Sequence, residues 1–248
     1  MSTRIPEAVY QWLQFIQFWW LPPVCVLCRG SGNTQQDLCL DCRDSLPRLV
    51  HPCPGCALPL PAGMPANSPC GSCLAMPPAW HSLHAALAYQ PPVTDMIAGF
   101  KYYGHAVNGR VLTDLLGQHL GARTGHHMLP ELLVPVPLHR QRLRQRGFNQ
   151  SLMIARWLSR QLAIPVRADL VLRHKATSQQ TGLSAAARRR NLRGAFRINP
   201  GAHLPQEARV AIIDDVVTTG STVAAMARTL RRAGAGDIQV WALARTIL

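Results

Sequence analysis

Charged residues make up only 15% of the 248, against 48% hydrophobic. A chain so apolar buries a core, which excludes a protein disordered throughout. No apolar run reaches about 18 residues, which excludes an ordinary membrane-spanning helix. The N-terminus carries no basic cluster and no small-residue cleavage site, and Gln11, Gln14 and Gln17 interrupt its apolar stretch. It does not read as a secretory signal, so the expected location is cytoplasmic. No G-K-[ST] tripeptide occurs, which excludes a Walker phosphate loop.

The residues that are present divide by composition. Residues 1–80 hold Arg4, Arg29, Arg43 and Arg48 against Glu7, Asp37, Asp41 and Asp44, and net to zero. The whole formal charge of +14 therefore lies in 81–248. All eight cysteines fall between Cys25 and Cys73, and 12 of the 20 prolines precede residue 81. Two domains are expected: 1–80, an N-terminal helix plus a CxxC region, and 81–248. Trp12, Ile16 and Trp19 recur at i, i+4 and i+7, which predicts an amphipathic helix over 7–20. It would pack on the body of the protein, or lie on a membrane surface or a partner.

The cysteines form four pairs: Cys25 and Cys28, Cys39 and Cys42, Cys53 and Cys56, Cys70 and Cys73. A CxxC turn offers two thiolates to one ion, and two such turns complete a tetrahedral sulfur shell. In a reducing compartment this pattern points to metal before disulfides. Zinc is the expected ion, one or two of them, with a structural role; iron–sulfur and redox dithiols are the alternatives. Spacing leaves open whether the pairs combine sequentially or interleave.

Farther on, a short strand is expected at 84–90 and helices at 93–103, 110–120, 150–162 and 222–233. Buried strands are expected at 132–136, 209–213 and 238–244. Residues 174–195 are polar, basic and aperiodic, and read as a long functional loop. Strands alternating with helices indicate a parallel sheet covered on both faces.

The sharpest chemical motif is the run from Val210 to Thr222. Four apolar residues form a buried strand, Asp214 and Asp215 follow, and a small hydroxyl-rich turn then opens a helix. Convergent N–H groups, the helix dipole and the hydroxyls of Thr218, Thr219, Ser221 and Thr222 suit a phosphate monoester. Gly220 permits close backbone approach. Two carboxylates are wrong for phosphate but right for vicinal sugar hydroxyls, with a hydrated Mg2+ nearby. A pentose 5′-phosphate fits both halves.

This run resembles the phosphoribosyl-pyrophosphate (PRPP) signature of type I phosphoribosyltransferases. Four other segments narrow the match. They are Phe100-Lys101-Tyr102-Tyr103-Gly104, Val134 to Arg140, Arg146-Gly-Phe-Asn-Gln150, and the Thr177–Asn191 stretch carrying Gln180, Leu183 and Arg188. Behind a CxxC-rich start, the arrangement is similar to the ComF family of competence-associated, phosphoribosyltransferase-like proteins that includes the GntX type. The resemblance implies a type I phosphoribosyltransferase-like α/β fold, preceded by a small zinc-ribbon-like domain. It implies PRPP held with magnesium and a link to DNA uptake or use. Asp214 and Asp215 would hold the ribose, and residues 218–222 the 5′-phosphate. It names no acceptor, general base or catalytic residue. Every cysteine belongs to a CxxC pair and Met1-Ser2 supplies no nucleophile, so a glutaminase is unsupported.

Residues 139–193 hold 13 Arg+Lys and a single acid, Asp169. Arg140, Arg142, Arg144 and Arg146 alternate after a strand end. In an extended segment all four would face one side and bind pyrophosphate. Lys101 and Arg188 are further candidates, Arg188 in a stretch that resembles the loop that closes over the site in type I phosphoribosyltransferases. The same cations form a footprint for single-stranded DNA or only a solvated face, and the aromatics expected of a stacking platform are few. Two functions compete. One is a PRPP-dependent transferase that releases pyrophosphate. The other is a non-catalytic protein that binds single-stranded DNA and keeps a PRPP site as sensor or relic. In the second, the zinc region docks a protein partner of the DNA-uptake machinery.

Overall fold

The computed structural model describes residues 22–33, 36–65, 68–123, 129–175 and 194–247. The helix expected at 7–20, most of the expected long loop, and Arg188 lie outside the described residues. By its contacts the chain divides between residues 46 and 47. That division precedes the compositional change near residue 80 and separates the two cysteine tetrads.

Among the described residues, the unit ending at Leu46 holds a CxxC turn and a short helix. Cys25 N–H donates to Gly30 O at 2.8 Å, which closes the first CxxC turn. Helix α1 (Leu40–Asp44) opens on Cys39, whose Sγ accepts the Cys42 N–H at 3.4 Å. The cap is thus itself a candidate metal ligand.

The unit from Pro47 onward repeats that plan and then builds the sheet. Cys53 N–H donates to Leu58 O at 2.8 Å, and helix α2 (Gly71–Ala75) starts after Cys70. The remaining elements are β1 (Ser82–Ala88), α3 (Val93–Tyr102), α4 (Ala106–Arg123), β2 (Leu132–Pro135), α5 (Arg140–Arg146), α6 (Gln150–Leu162), β3 (Val171–Arg173), β4 (Phe196–Ile198), β5 (Arg209–Val217), α7 (Ser221–Arg232) and β6 (Asp237–Arg245). The main sheet is parallel throughout, in the order β1-β6-β5-β2. Its strands carry continuous apolar runs, as a sheet buried on both faces requires. Val210, Ile212, Val240 and Ala242 share a core with Val223, Met226 and Leu230 of α7. Helices α4 and α6 pack against the sheet as well. Leu49, Ala57 and Trp80, from the second ribbon and its exit, join the core that holds Val240. The outer edge of β1 is occupied too. Leu83 N–H donates to Pro54 O at 2.9 Å and Ala88 N–H to Pro47 O at 2.8 Å.

Two expectations need correction. The strand expected at 209–213 continues through both acids to Val217, because Val216 and Val217 still pair with Ala244 and Arg245 of β6. Asp214 and Asp215 therefore sit inside the strand's last residues. The arginine run is helical. His139 Nδ1 accepts the Gln141 N–H at 3.3 Å at one end, and Gly147 closes the other at φ +80°. The antiparallel pair β3 and β4, which the sequence reading did not anticipate, flanks residues 174–195.

Candidate functional site

Strand β5 runs between β6 and β2 and delivers two carboxylates to the sheet's C-terminal rim, where open α/β sheets present ligand sites. Asp215 is buried and its Oδ1 lies 2.9 Å from Lys101 Nζ. Asp214 is partly buried; its Oδ1 accepts the Asp215 N–H at 3.0 Å and the Ser151 hydroxyl at 3.3 Å. Burial, and then the adjacent Asp215 charge, push the Asp214 carboxyl up to about 7, against the pull of Lys101. Burial would lower the Lys101 ammonium, but Asp215 more than offsets it and raises it. Three groups are therefore electrostatically linked here, one cation and two acids.

The turn after β5 reaches α7 through Gly220, at φ +73°. An L side chain rarely adopts that conformation. Thr219 Oγ1 and Ser221 Oγ lie 2.8 Å apart, and Ser221 N–H reaches Thr219 Oγ1 at 3.4 Å. Helix α7 has no acid in its first turn, so its positive end is not neutralised there.

Both features open into one cleft of about 230 Å³. Thr218, Thr219, Gly220, Ser221 and Thr222 line it, with Asp214, Asp215, Lys101, Arg142 and Arg146. Arg140 and Arg144 do not. On a helix, positions two apart lie on different faces and positions four apart share one. Arg142 and Arg146 are half-buried in the cleft, while Arg140 and Arg144 are exposed. The prediction of four guanidinia on one side is thus wrong for two of them. The motif after α5 locks this geometry. Phe148 packs 5.9 Å from the buried Phe100 ring, and Asn149 caps α6 by accepting the Leu152 N–H at 3.4 Å. Gln150 then accepts from Arg146 Nη1 at 2.8 Å.

The cleft also contains residues that the sequence reading did not single out. Arg173, at the end of β3, adds a fourth cation to Lys101, Arg142 and Arg146. Ser151 holds Asp214, and Tyr102 lies under the Arg146 guanidinium at 5.0 Å. Tyr102 and Gln150 were inside quoted motifs. Arg173 had no motif, since a three-residue strand shows no readable period. With both acids ionised, four cations still leave the cleft positive. That suits a ligand combining hydroxyls with several phosphate charges.

The cysteines resolve into sequential tetrads: Cys25, Cys28, Cys39 and Cys42, then Cys53, Cys56, Cys70 and Cys73. In each, the four sulfurs lie within 4.8 Å of one another. This soft four-sulfur set fits a structural zinc with no open position. Burial would raise the Cys25 and Cys53 thiols, but backbone N–H donors hold them down, to about 6 and about 7. The neighbouring Cys39 sulfur and then burial push Cys42 up to about 12.

Residues 16–74 match the double zinc ribbon domain family and residues 149–246 the phosphoribosyl transferase domain family. The DNA utilization protein YhgH of Salmonella typhi is 38% identical over 231 residues, 92% of this chain and 99% of that protein. This chain belongs to the YhgH and competence protein F (ComF) family. Competence protein F of Haemophilus influenzae, another member, is 36% identical over 89% of this chain and 96% of its own. Among solved structures, the purine phosphoribosyltransferase from Pyrococcus horikoshii Ot3 covers 54% of this chain at 22% identity and a TM-score of 0.33. The ComF chain here combines the phosphoribosyltransferase domain with both ribbons. Among the described residues, no helix is long and apolar enough to cross a membrane.

Proposed function

We propose that the chain binds PRPP in this cleft and serves DNA uptake or utilisation, the role named for its relatives. One observation carries the reading: the Asp214–Asp215 pair and the hydroxyl turn share a cleft with four cations. Asp214 and Asp215 would hold the ribose hydroxyls and, with their hard oxygen donors, a hydrated magnesium ion. Residues 218–222 would hold the 5′-phosphate, and Lys101, Arg142, Arg146 and Arg173 the pyrophosphate. In transfer, an acceptor nucleophile bonds to the anomeric carbon as the bond to pyrophosphate breaks. The arginines neutralise the charge that develops on the leaving oxygens. Eight free cysteines arranged for metal support work in a reducing compartment, the cytoplasm.

A second role is favoured by the exposed arginine face. Arg140 and Arg144 point away from the cleft, and Tyr102 and Tyr103 are 68% and 75% exposed. Exposed cations suit the phosphate backbone of single-stranded DNA, and exposed aromatic rings suit its bases. Exposed Leu74 and Met76, beside Cys73, offer apolar surface for a protein partner from the uptake machinery. The deciding experiment titrates PRPP calorimetrically into the zinc-loaded protein, with and without Mg2+, beside D214N/D215N. Binding that needs the acid pair supports the assignment. Equal binding by the double variant, or none by the wild type at millimolar PRPP, removes it.

A further inference from the structure

The last residue of β6 is an arginine, and it is not at the surface. Arg245 is 5% exposed. Its Nε donates to Cys56 O at 2.8 Å. Its Nη1 donates to Val217 O at 3.0 Å, to Thr246 O at 2.8 Å, and to Thr218 O. One planar guanidinium thus joins a cysteine of the second tetrad to the two carbonyls that begin the phosphate turn. A second link runs beside it. Trp80 Nε1 donates to Gly55 O at 2.7 Å, inside the Cys53–Cys56 knuckle. The far edge of the same ring lies 3.2 Å from the place a Cβ would take on Gly220. Gly55 itself sits against Cys73, whose Sγ would be 3.1 Å from an added Cβ.

These contacts have a direction. A trans peptide plane carries its C=O and N–H on opposite sides. Holding the carbonyls of Val217 and Thr218 on Arg245 turns the N–H groups of Thr218 and Thr219 the other way. A turn that binds an anion requires its N–H groups to be presented together. Arginine suits this task better than lysine, because its rigid fork reaches several acceptors at once. A buried cation facing only carbonyls among its recorded partners also gains from nearby thiolate charge, which a metal-loaded tetrad retains.

We propose that Arg245 and Trp80 are positioning residues of the phosphate turn, and that the second cysteine tetrad anchors them. Metal in Cys53, Cys56, Cys70 and Cys73 then sets the affinity of the turn for a phosphate monoester. The inference rests on the PRPP reading for its ligand, but not for its linkage. Because coupling between two bound groups is reciprocal, a phosphate ester in the turn tightens metal binding by the second tetrad.

The test uses the full zinc-loaded chain and Arg245→Met, Arg245→Lys and Trp80→Phe. Hydrogen exchange is read over 216–224, the equilibrium share of zinc taken by a competing chromogenic chelator is measured with and without PRPP, and PRPP affinity is measured by calorimetry. In Arg245→Met, exchange in the turn speeds up about tenfold and PRPP binds about tenfold more weakly, with full zinc content retained. Arg245→Lys falls between. In the wild type PRPP lowers the share of zinc lost to the chelator at equilibrium, and in Arg245→Met that protection disappears, which a merely structural arginine would not cause. If Arg245→Met fails to fold, Trp80→Phe is read in the same way. Wild-type exchange and wild-type coupling in a folded, zinc-replete variant overturn the proposal. A wild type that binds no PRPP removes the ligand reading, while the exchange comparison still decides the linkage.

Discussion

Replacing Asp214 by Asn should make the protein more stable and less able to bind. The substitution keeps the shape of the side chain. The amide oxygen of Asn can still accept from the Asp215 N–H and the Ser151 hydroxyl, the two bonds that Asp214 Oδ1 makes. Only the charge is lost. Burial and Asp215 raise the Asp214 carboxyl from 3.8 to about 7. At 1.36 kcal/mol per unit this amounts to about 4 kcal/mol against the ionised form. Asp214 is only partly buried, and solvent screening reduces the effect to on the order of 2 kcal/mol. The sign follows from proton binding. Between about pH 4 and pH 7 the native state holds a proton that the unfolded chain has released. Wild-type stability therefore falls as pH rises through that window and is level above it. Asp214→Asn removes the slope. Its advantage should be absent near pH 4, grow to pH 7 and persist at pH 8, where a gain of about 4–8 °C in midpoint is expected. Thermal or urea unfolding of the two proteins, side by side at each pH, measures it; zinc is common to both and cancels. An equal pH slope in the two proteins, or a destabilised variant at pH 8, would refute the electrostatic account. The same variant should lose PRPP affinity, the trade expected where a site keeps costly charge for function.

Lys101→Met leaves Asp215 buried without its cation and should cost about 3–5 kcal/mol by urea unfolding; a loss under about 1 kcal/mol would mean the pair is well solvated. The two faces of α5 should separate two activities. Arg142→Glu with Arg146→Glu should weaken PRPP binding, while Arg140→Glu with Arg144→Glu should spare it and flatten the salt dependence of single-stranded DNA binding by about 1.4 in log–log slope. Equal effects on both ligands would merge the two surfaces. Gly220→Ala forces a side chain onto φ +73° and against Trp80, at about 1–2 kcal/mol in stability, with weaker PRPP binding by calorimetry.

What could be read from the sequence differs residue by residue. The CxxC spacing fixes the ligands because metal geometry is local, and only the pairing required three dimensions. The acid pair and hydroxyl turn were legible because strand, carboxylates and helix start lie in 13 consecutive residues. Alternation alone suggests a strand period for the arginine run, whereas the structure makes it a helix. The stop and start signals, His139 and Gly147, bracket seven residues, most of them good helix formers, and favour a helix instead. Lys101 was marked as a candidate, but its pairing with Asp215 joins residues 114 positions apart, and no local pattern encodes it. Arg245 was hidden by its position at the end of an apolar strand, where an exposed terminal cation is the ordinary expectation.

The hydrogen bonds that β1 donates to the Pro47 and Pro54 carbonyls have a practical consequence. They cover the outermost strand of a parallel sheet, whose bare N–H and C=O row would otherwise template pairing with another molecule. A fragment begun at residue 81 removes this cover and takes Leu49, Ala57 and Trp80 from the core. Such a fragment should aggregate through β1, and its insolubility would report an uncovered edge rather than a sheet unable to fold. Expression of the phosphoribosyltransferase part alone should therefore begin at Pro47 and retain the second ribbon.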